Sequence, residues 1–532
     1  MEGKNVFEAR SLCEINDFSI AERKYLFEKT RILKRAFETN DTKTMDGFRI
    51  GDKDFGIYEV FLENSTRTKE SFRNAANFQQ VKVEELVTST SSINKGESYA
   101  DTFHMLGGFH NSIFIVRSKV EGLCRWLEID SKRYIERNHL NYHISFVNAG
   151  DGKHEHPTQE LLDEFSFLED NGFDYSHLHV ALIGDLFHGR TVHSKADGLK
   201  LFDHVKVDLI APLELAMPDN YVEEMRENGF EIRSFGSIEE YLSQPDISTT
   251  WYFTRPQLER MGEQVLEKMD QLRGAITFRK EFMDKLKPGT HFYHPLPRHK
   301  EHPTIPTFLD DTPLNGWERQ AINGMYVRIT LLSLIGGKIG WDFVPPVEKP
   351  VPAEKPYIVE VDLSGKSGNL KNYSEGVLPI RNGIVIDHIA RGDSPSEIRE
   401  HMRLISRVLN LDNLKGGNWI SQGHSGETTY KGIIFRPDAP ELDHKMVKRL
   451  AAVAPGCTLN IIKDGKVAKK YRLYMPPRIY NFDDLQCTND ACISHPSQNE
   501  GVPAMFYRTE DGKFRCAYCG KTHSYKDIWK KN

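Results

Sequence analysis

The residues Ser65-Thr-Arg-Thr68 stand between a predicted strand, Ile57–Leu62, and the start of a predicted helix. Free backbone N–H groups at a helix N-terminus, hydroxyl side chains and the Arg67 guanidinium can together hold a phosphate group. Ser65 can also cap the helix through its hydroxyl. The segment therefore predicts a phosphate cradle, although an ordinary capped helix would carry similar residues.

Three more polar segments follow predicted strands: His154-Glu-His-Pro-Thr-Gln159, Gly189-Arg-Thr-Val-His193 and His294-Pro-Leu-Pro-Arg298. Ligands of open α/β sheets bind beyond the carboxyl ends of the strands, so this placement favours one shared site. His154 and His156 could belong to a metal site, but no further ligand stands at a suitable spacing in the sequence.

The sequence carries no motif for a covalent nucleophile, a mononucleotide loop or a dinucleotide fingerprint. Arginines, hydroxyls and a histidine without such a motif suit attack on an acyl group that is already activated as a phosphate. The enzyme then needs only to position the partners and to stabilise the oxyanion and the departing phosphate. We therefore expect neither a catalytic metal nor an organic cofactor.

The four segments, in this order, resemble the transcarbamylase family, and specifically aspartate carbamoyltransferase, over about residues 15–340. The resemblance implies that Arg67, Thr68, Arg117 and His156 are catalytic, the last three by polarising the carbonyl of carbamoyl phosphate and stabilising the oxyanion. It also implies which residues hold carbamoyl phosphate. These are Ser65, Thr66, Arg67, Thr68, Arg117, His156, Gln159, Leu296 and Pro297.

The same resemblance implies that L-aspartate is bound by Lys95, Arg190, Arg255 and Gln257. Arginines suit its two carboxylates because a guanidinium can bind a carboxylate through two parallel hydrogen bonds. Ser91 and Lys95 match a loop that reaches into the neighbouring subunit's site, which implies a homotrimer with shared sites and allows a higher assembly. Without the resemblance, Lys95 would be an ordinary solvated loop lysine.

Pro295 stands where ornithine-specific relatives usually carry a cysteine, and the arginine-rich second site favours a dicarboxylic amine. The expected reaction therefore forms N-carbamoyl-L-aspartate and phosphate, an early step of pyrimidine biosynthesis. The alternative is a transcarbamylase for a different amine. Lys69, where the family usually has arginine, and Arg73, where glutamate is common, are departures expected to affect kinetics rather than reaction class.

The C-terminal region contains two cysteine pairs, Cys487-x4-Cys492 and Cys516-x2-Cys519, separated by 23 residues. Two thiolate pairs on short turns predict one structural zinc ion per chain, bound tetrahedrally. Disulfides are the alternative, but they are rare in reducing compartments. A ribbon that binds nucleic acid is a further alternative, although no dense basic run accompanies the cysteines.

The segments Val385-Ile-Asp-His-Ile389 and Cys487 to His495 resemble the regulatory chain of aspartate carbamoyltransferase, which in the family is a separate polypeptide. The resemblance implies a nucleotide effector such as ATP or CTP. Its expected contacts are Asp387, His388, Lys431 and Lys470. Phe435 stands where the family places a key lysine, so a purely structural role for this domain remains the alternative.

Short apolar runs alternate with amphipathic stretches through the first half of the chain, which predicts parallel sheets flanked by helices. Five prolines between Pro345 and Pro356 predict an extended linker, or less readily a ligand for another protein. The expected architecture is an α/β catalytic unit of two doubly wound parallel-sheet domains, an α+β effector-like domain and a small four-cysteine zinc domain.

The predicted domain limits follow from these patterns. They are 1–149 for carbamoyl phosphate, with a helix in 315–340 packing back, 150–314 for aspartate, 341–376 for the proline-rich linker and an insertion, 377–482 for the effector-like domain and 483–532 for the zinc domain.

Seventy Lys and Arg against 76 Asp and Glu give the 532 residues a net charge of −6, which argues against a nucleic-acid-coating role. No apolar stretch approaches about 18 residues, so no membrane span is expected. Residues 1–16 lack the apolar core of a signal peptide. The expected location is therefore the cytoplasm.

Overall fold

The computed structural model describes residues 5–87, 93, 96–256, 268–347, 354–363, 380–392, 394–422 and 430–530. The chain forms two compact units, Met1–Val347 and Glu348–Asn532. Across the described part, no helix combines the length and the apolar character needed to cross a membrane.

The first sheet has four parallel strands. Their spatial order is Lys82–Glu85, Gly56–Phe61, Asn111–Ser118 and Ser145–Asp151. The second and fourth of these strands are buried along their whole length, as expected for strands covered on both faces. One helix follows each strand in the chain: Thr66–Phe78, Tyr99–Gly108, Leu123–Arg137 and Pro157–Asp170. The carboxyl ends of the strands therefore meet at one edge, where the predicted residues Ser65–Thr68, Arg117 and His156 lie.

The second sheet has five parallel strands. Their order is Glu231–Phe235, His204–Ile210, His177–Ile183, Thr250–Phe253 and His291–Tyr293. The edge strand Glu231–Phe235 was not predicted, because its half-exposed residues do not form a continuous apolar run. The helices of this region are short: Arg190–His193, Lys195–Gly198, Asp219–Glu227, Ile238–Tyr241 and Met269–Ile276.

Two long helices complete the first unit. Ile20–Glu38 begins at Ser19, whose hydroxyl accepts a hydrogen bond from the Glu22 backbone N–H. Trp317–Ile335 packs against Pro157–Asp170 and against the helix that begins at Thr66. The end of the catalytic unit therefore returns to the first sheet. The short helix Thr42–Asp46 follows the first long helix.

The second unit is built on a six-stranded antiparallel sheet. The order is Ile358–Glu360, Lys466–Leu473, Thr458–Lys463, Gly383–Gly392, Tyr430–Pro437 and Gly417–Gln422. Two of these strands were not predicted. Ile358–Glu360 lies inside the predicted linker and pairs with a sheet edge, and Gly417–Gln422 begins at the second of two adjacent glycines, which suggest a loop. The helices Pro395–Val408 and His444–Val453 make the domain α+β.

The cysteine region forms a small antiparallel sheet of its own. Its strands are Arg478–Ile479, Phe506–Arg508, Phe514–Cys516 and Thr522–His523. Single 3-10 turns occur in both units: Ile15–Asp17, Leu199–Leu201, Leu213–Leu215, Lys280–Lys285, Thr307–Leu309 and Pro496–Gln498.

A buried carboxylate ties together three strands of the second sheet. Asp208 accepts hydrogen bonds from His179 Nε2 (2.6 Å), Arg233 Nε (2.7 Å) and the Tyr241 hydroxyl (2.6 Å). Burial alone would raise the pKa of Asp208, but these hydrogen bonds hold it below its ordinary value. The ionised carboxylate therefore contributes to the stability of the sheet.

We expect Asp208→Ala to lower the free energy of unfolding by about 3–5 kcal/mol, because it leaves buried donors without an acceptor. Urea unfolding measures this loss. Asp246→Ala is the control, since the exposed Asp246 carboxylate pairs with Lys206 and Lys287, lies 4.0 Å from His179 Nδ1, and its removal should cost about 1 kcal/mol or less. Because the folded-state pKa of Asp208 is lowered, its contribution is present above about pH 4 and is lost as the pH falls further. Equal losses in both variants would contradict the assignment.

Candidate active site

Gly150 lies at the centre of the candidate active site, near the carboxyl end of the strand Ser145–Asp151. Its φ is +112°, and a Cβ there would lie 2.7 Å from Arg117 Nη1, 3.2 Å from Arg190 Nη2 and 3.2 Å from His156 Cδ2. Arg117 belongs to a strand of the first sheet, and His156 precedes the helix Pro157–Asp170. Arg190 begins the short helix that follows the strand His177–Ile183 of the second sheet. A side chain at position 150 would prevent them from meeting.

The two arginines are held by backbone carbonyls and by an acid. Arg117 donates from Nη1 to the Ala149 carbonyl (2.9 Å) and pairs through Nη2 with Glu63 (3.0 Å). Arg190 donates to the Gly152 carbonyl (2.6 Å). Burial and the neighbouring charge of Arg190 lower the pKa of Arg117 to about 10. Burial and mutual repulsion destabilise the charged arginines of this pocket, so binding of an anion there is favourable.

The His156 ring is buried and neutral, because burial and the charges of Arg190, Arg117 and Arg328 hold its pKa well below the ordinary value. Its Nδ1 lies 3.4 Å from the Thr158 hydroxyl, and Arg328 Nη2 lies 3.5 Å from the same oxygen. Since Arg328 can only donate, the Thr158 hydroxyl proton is available to Nδ1. In that arrangement the ring proton is on Nε2, which has no hydrogen-bond partner among the described residues, whereas the opposite tautomer would donate from Nδ1 to the same hydroxyl.

The turn from His294 to Arg298 lies close to further arginine side chains. Burial, followed by the charges of Arg298, Arg67 and Arg255, lowers the pKa of His294 to about 3. The His294 Nδ1 accepts the Leu296 backbone N–H (2.7 Å), which fixes the start of the turn. The peptide bond between Leu296 and Pro297 is cis. Arg67 and Arg255 thus approach the same residue from the first and second sheets.

The structure places the other predicted residues as follows. Ser65 precedes the helix Thr66–Phe78, but its hydroxyl makes no capping hydrogen bond, contrary to the predicted cap. Thr66 and Arg67 are exposed and Thr68 is half-buried. Gln159 lies in the first turn of Pro157–Asp170 and donates to Asp163 (2.9 Å). Ser91, Lys95 and Gln257 lie outside the described residues.

The two departures from the family pattern lie in one ion-pair network beside the cradle. Lys69 pairs with Glu85, and Arg73 pairs with both Glu85 and the buried Glu59, the latter at 2.8 Å. Both basic residues are therefore held by acids of the first sheet, on strands that neighbour each other.

The four predicted metal ligands come together. The Sγ atoms of Cys487, Cys492, Cys516 and Cys519 all lie within 4.8 Å of one another, and all four residues are buried. Two of the Sγ–Sγ separations are 3.7 and 3.8 Å, which excludes disulfides. The edge of a tetrahedron with metal–sulfur bonds of about 2.3 Å is about 3.8 Å. The donor set and its size therefore fit a tetrahedral metal ion.

Three of the four predicted effector contacts also meet. Lys431 Nζ lies 3.2 Å from Asp387 Oδ1, and His388 Nδ1 lies 3.3 Å from Asp387 Oδ2. Lys470 is separated from them by one strand, since it pairs with Asn460, which pairs with Val385. Phe435 is the partner of Val385 on the other side, so it lies on the same row of the sheet.

Sequence reasoning missed four residues of the site: Glu63, Gly150, Asp163 and Arg328. Arg328 had a usable signal, since it is a lone charge within the apolar part of the helix Trp317–Ile335. Glu63 had a weaker signal, because it stands directly between a strand and the cradle. Gly150 and Asp163 had no signal in the sequence, because their roles follow from contacts with residues that are distant along the chain.

Two parallel-sheet domains around a pocket of arginines and a neutral histidine, followed by a sheet domain and a four-thiol site, define a transcarbamylase joined to a metal-binding regulatory region. Family models agree with this class. Residues 10–169 match the carbamoyl-P binding domain of aspartate/ornithine carbamoyltransferase, and 176–335 match its Asp/Orn binding domain. Residues 375–474 and 477–529 match the allosteric and metal binding domains of the aspartate carbamoyltransferase regulatory chain.

Two relatives match this chain over its whole length and identify its family more specifically than the domain models do. Protein PyrBI of Treponema denticola is 63% identical over 534 residues, covering 99% of this chain and 100% of the relative. Protein PyrBI of Thermotoga maritima is 51% identical over 533 residues, covering 99% of each. The chain therefore belongs to the PyrBI family, which combines the catalytic and regulatory chains of aspartate carbamoyltransferase in one polypeptide. The predicted family and its fused organisation are confirmed.

A solved structure supports the same assignment for the catalytic unit. Aspartate transcarbamoylase from Trypanosoma cruzi, in complex with carbamoyl phosphate and aspartate, is 27% identical with a TM-score of 0.53. The match covers 62% of this chain and 98% of that one.

We expect Gly150→Ala to lower kcat/KM by about 100-fold or more, because the added methyl displaces Arg117 from its position. Steady-state kinetics of carbamoyl transfer measure this loss. Gly172→Ala is the matched control, since Gly172 also has a positive φ (+63°) but a Cβ there meets nothing within 4 Å. A similar loss of activity in both variants would show that strain, not displacement of the arginine, is responsible.

Proposed function

We propose that this chain transfers the carbamoyl group of carbamoyl phosphate to the amine of L-aspartate, giving N-carbamoyl-L-aspartate and phosphate in pyrimidine biosynthesis. The observation that carries the proposal is the meeting of Arg117, Arg190 and neutral His156 at Gly150. A phosphate dianion relieves the repulsion between the arginines. A neutral imidazole can donate a hydrogen bond to the carbonyl oxygen without adding a further positive charge.

The reaction follows from these positions. The aspartate amine attacks the carbonyl carbon, and the negative charge that develops on the carbonyl oxygen is stabilised by Arg117, His156 and Thr68. The C–O bond to phosphate then breaks, and the proton lost by the attacking nitrogen passes to the departing phosphate. Arg67 with Ser65, Thr66 and Thr68 holds the phosphate, and Gln159, Leu296 and Pro297 hold the carbamoyl group.

The amine site requires charges that match two carboxylates. Arg190 and Arg255 supply two guanidinium groups close to the phosphate pocket, and Lys95 and Gln257 complete the set in this proposal. The complex of the Trypanosoma cruzi relative with carbamoyl phosphate and aspartate supports this choice of substrates. Ser91 and Lys95 come from a neighbouring subunit, so we propose a homotrimer with shared sites.

We propose zinc as the metal of the four-cysteine site, at one ion per chain, because four thiolates in a tetrahedral arrangement suit zinc. Bound there, zinc would hold together the short strands of the small sheet. Thiolate ligands need a reducing compartment, which favours the cytoplasm. We also propose domain limits of 1–149 for carbamoyl phosphate, with a helix of 315–340 packing back, and 150–314 for aspartate. The remaining limits are 341–376 for the linker, 377–482 for the effector-like domain and 483–532 for the zinc domain.

We further propose that the sheet domain binds a nucleotide such as ATP or CTP and regulates the reaction. Asp387, His388, Lys431 and Lys470 supply the polar contacts, and the acid–lysine pair marks the centre of the site. Phe435 offers an aromatic face on the row of the sheet that contains Val385 and Lys470. The nucleotide base would therefore meet a ring where the separate regulatory chains offer a lysine.

We expect carbamoyl transfer to L-aspartate and little or none to ornithine when a panel of amines is supplied with carbamoyl phosphate. The physical reason is that a cationic side chain would enter a site that already holds Arg190 and Arg255. Product formation, followed by chromatography of the carbamoylated amine, measures this preference. Activity with ornithine but not with aspartate would refute the proposed substrate.

We expect metal analysis of the purified chain to find about one zinc per chain, and Cys516→Ser to lose it, because three thiolates leave the tetrahedron incomplete. Cys457→Ser is the matched control, since that cysteine is also buried but lies outside the cluster. Substitution with Co²⁺ should give the absorption bands of tetrahedral thiolate ligation. Zinc-free protein with a folded C-terminal region would contradict the site.

A further inference from the structure

Asp163 is a fully buried carboxylate on the helix Pro157–Asp170, behind the proposed carbamoyl phosphate site. Its Oδ1 accepts hydrogen bonds from Gln159 Nε2 (2.9 Å) and Gln320 Nε2 (2.6 Å). Its Oδ2 accepts a hydrogen bond from the buried Lys195 (3.0 Å). One carboxylate thus joins two amides from different helices and is itself held by an ammonium group.

An ionised carboxylate can only accept hydrogen bonds, so both glutamines must turn their NH₂ groups toward it. This orientation leaves the amide oxygen of each glutamine as an acceptor for something else. For Gln320 that partner is present, because its Oε1 accepts the His294 backbone N–H (2.9 Å). The turn that contains Leu296 and Pro297 is therefore attached to Asp163 through one intervening side chain.

For Gln159 the amide oxygen remains available to a ligand, since Asp163 occupies its NH₂ group. Carbamoyl phosphate differs from other acyl phosphates in one respect, which is that an NH₂ group is attached to the carbonyl carbon. That group donates hydrogen bonds, whereas the methyl group of acetyl phosphate does not. An oriented acceptor is what a site needs in order to distinguish the two molecules.

We propose that Asp163 is a positioning residue that sets the preference for a carbamoyl group, by fixing the amide of Gln159 and, through Gln320, the His294–Arg298 turn. The proposal rests on the proposed function, in which Gln159 and the turn hold carbamoyl phosphate. Asp163 itself does not touch substrate. Its hydrogen bonds with Gln159 and Gln320 lead to the part of the site that holds the NH₂ group, and its third, with Lys195, does not involve the phosphate cradle.

Asp163→Asn tests the proposal with almost no change in shape. Lys195 can only donate, so the new amide must turn its oxygen toward Lys195 and its NH₂ group toward the two glutamines. Gln159 and Gln320 must then reverse their amides, which removes the acceptor for the substrate and for the His294 N–H. We expect KM for carbamoyl phosphate to rise by about 10- to 100-fold. The Ki of acetyl phosphate as a competitive inhibitor should change by less than about threefold, because that molecule makes no use of the acceptor.

Glu160→Gln is the matched control. Glu160 lies on the same helix, is equally buried and contacts the same Lys195 (2.8 Å), but it contacts neither glutamine. We expect this variant to lose stability in urea without changing the ratio of KM for carbamoyl phosphate to Ki for acetyl phosphate. A variant that only loosens the structure should affect both ligands together, so the ratio separates positioning from general damage.

Gln159→Leu is a second test that leaves the buried carboxylate unchanged, because Gln159 is only half-buried. It should reproduce the rise in KM for carbamoyl phosphate, and in the double variant the two effects should not add. Equal rises for both ligands, additive effects, or no change in KM would overturn the role of Asp163. Wild-type protein without carbamoyl transfer activity would instead overturn the proposed function.

Discussion

The catalytic unit depends on holding several positive charges together where little water can reach them. Arg117, Arg190 and Arg328 surround His156, and the charge of each lowers the pKa of that ring. Like charges in a low-dielectric pocket repel one another strongly. The pocket is therefore strained electrostatically until an anion enters, and this strain provides both affinity for a phosphate and a neutral imidazole beside the reacting carbonyl.

Acids paired with these cations make such a pocket compatible with a stable fold. Glu63 pairs with Arg117, and the charge of Asp163 partly offsets the effect of burial on Arg328. The same Asp163 is bound by Lys195, which also pairs with Glu160. Removing one member of a buried pair is costly because the other is left without compensation. Ion pairs beside the site therefore contribute both to binding chemistry and to stability.

The regulatory unit meets a different constraint, because its last domain is too small to be held by a large apolar core. Four buried cysteines at the spacing of a tetrahedron would supply metal–ligand bonds in place of that core. In the sheet domain before it, the helix Pro395–Val408 packs against three strands and the helix His444–Val453 packs against that helix. Its polar residues Asp387, His388 and Lys431 gather where the strand Gly383–Gly392 has an irregular register with its neighbour.

The sequence by itself determined the order of the domains, the metal ligands and most of the residues expected to hold carbamoyl phosphate. These signals are local: two cysteine pairs at short spacing, and polar segments placed directly after apolar strands. Only the tertiary structure decided which of them share one site and what holds them there. Gly150 matters because three side chains from separate elements approach it, and Asp163 matters because Gln159 and Gln320, 161 positions apart in the chain, donate to one of its oxygens. No pattern along the chain records such a meeting, since it depends on how two sheets bring distant residues together.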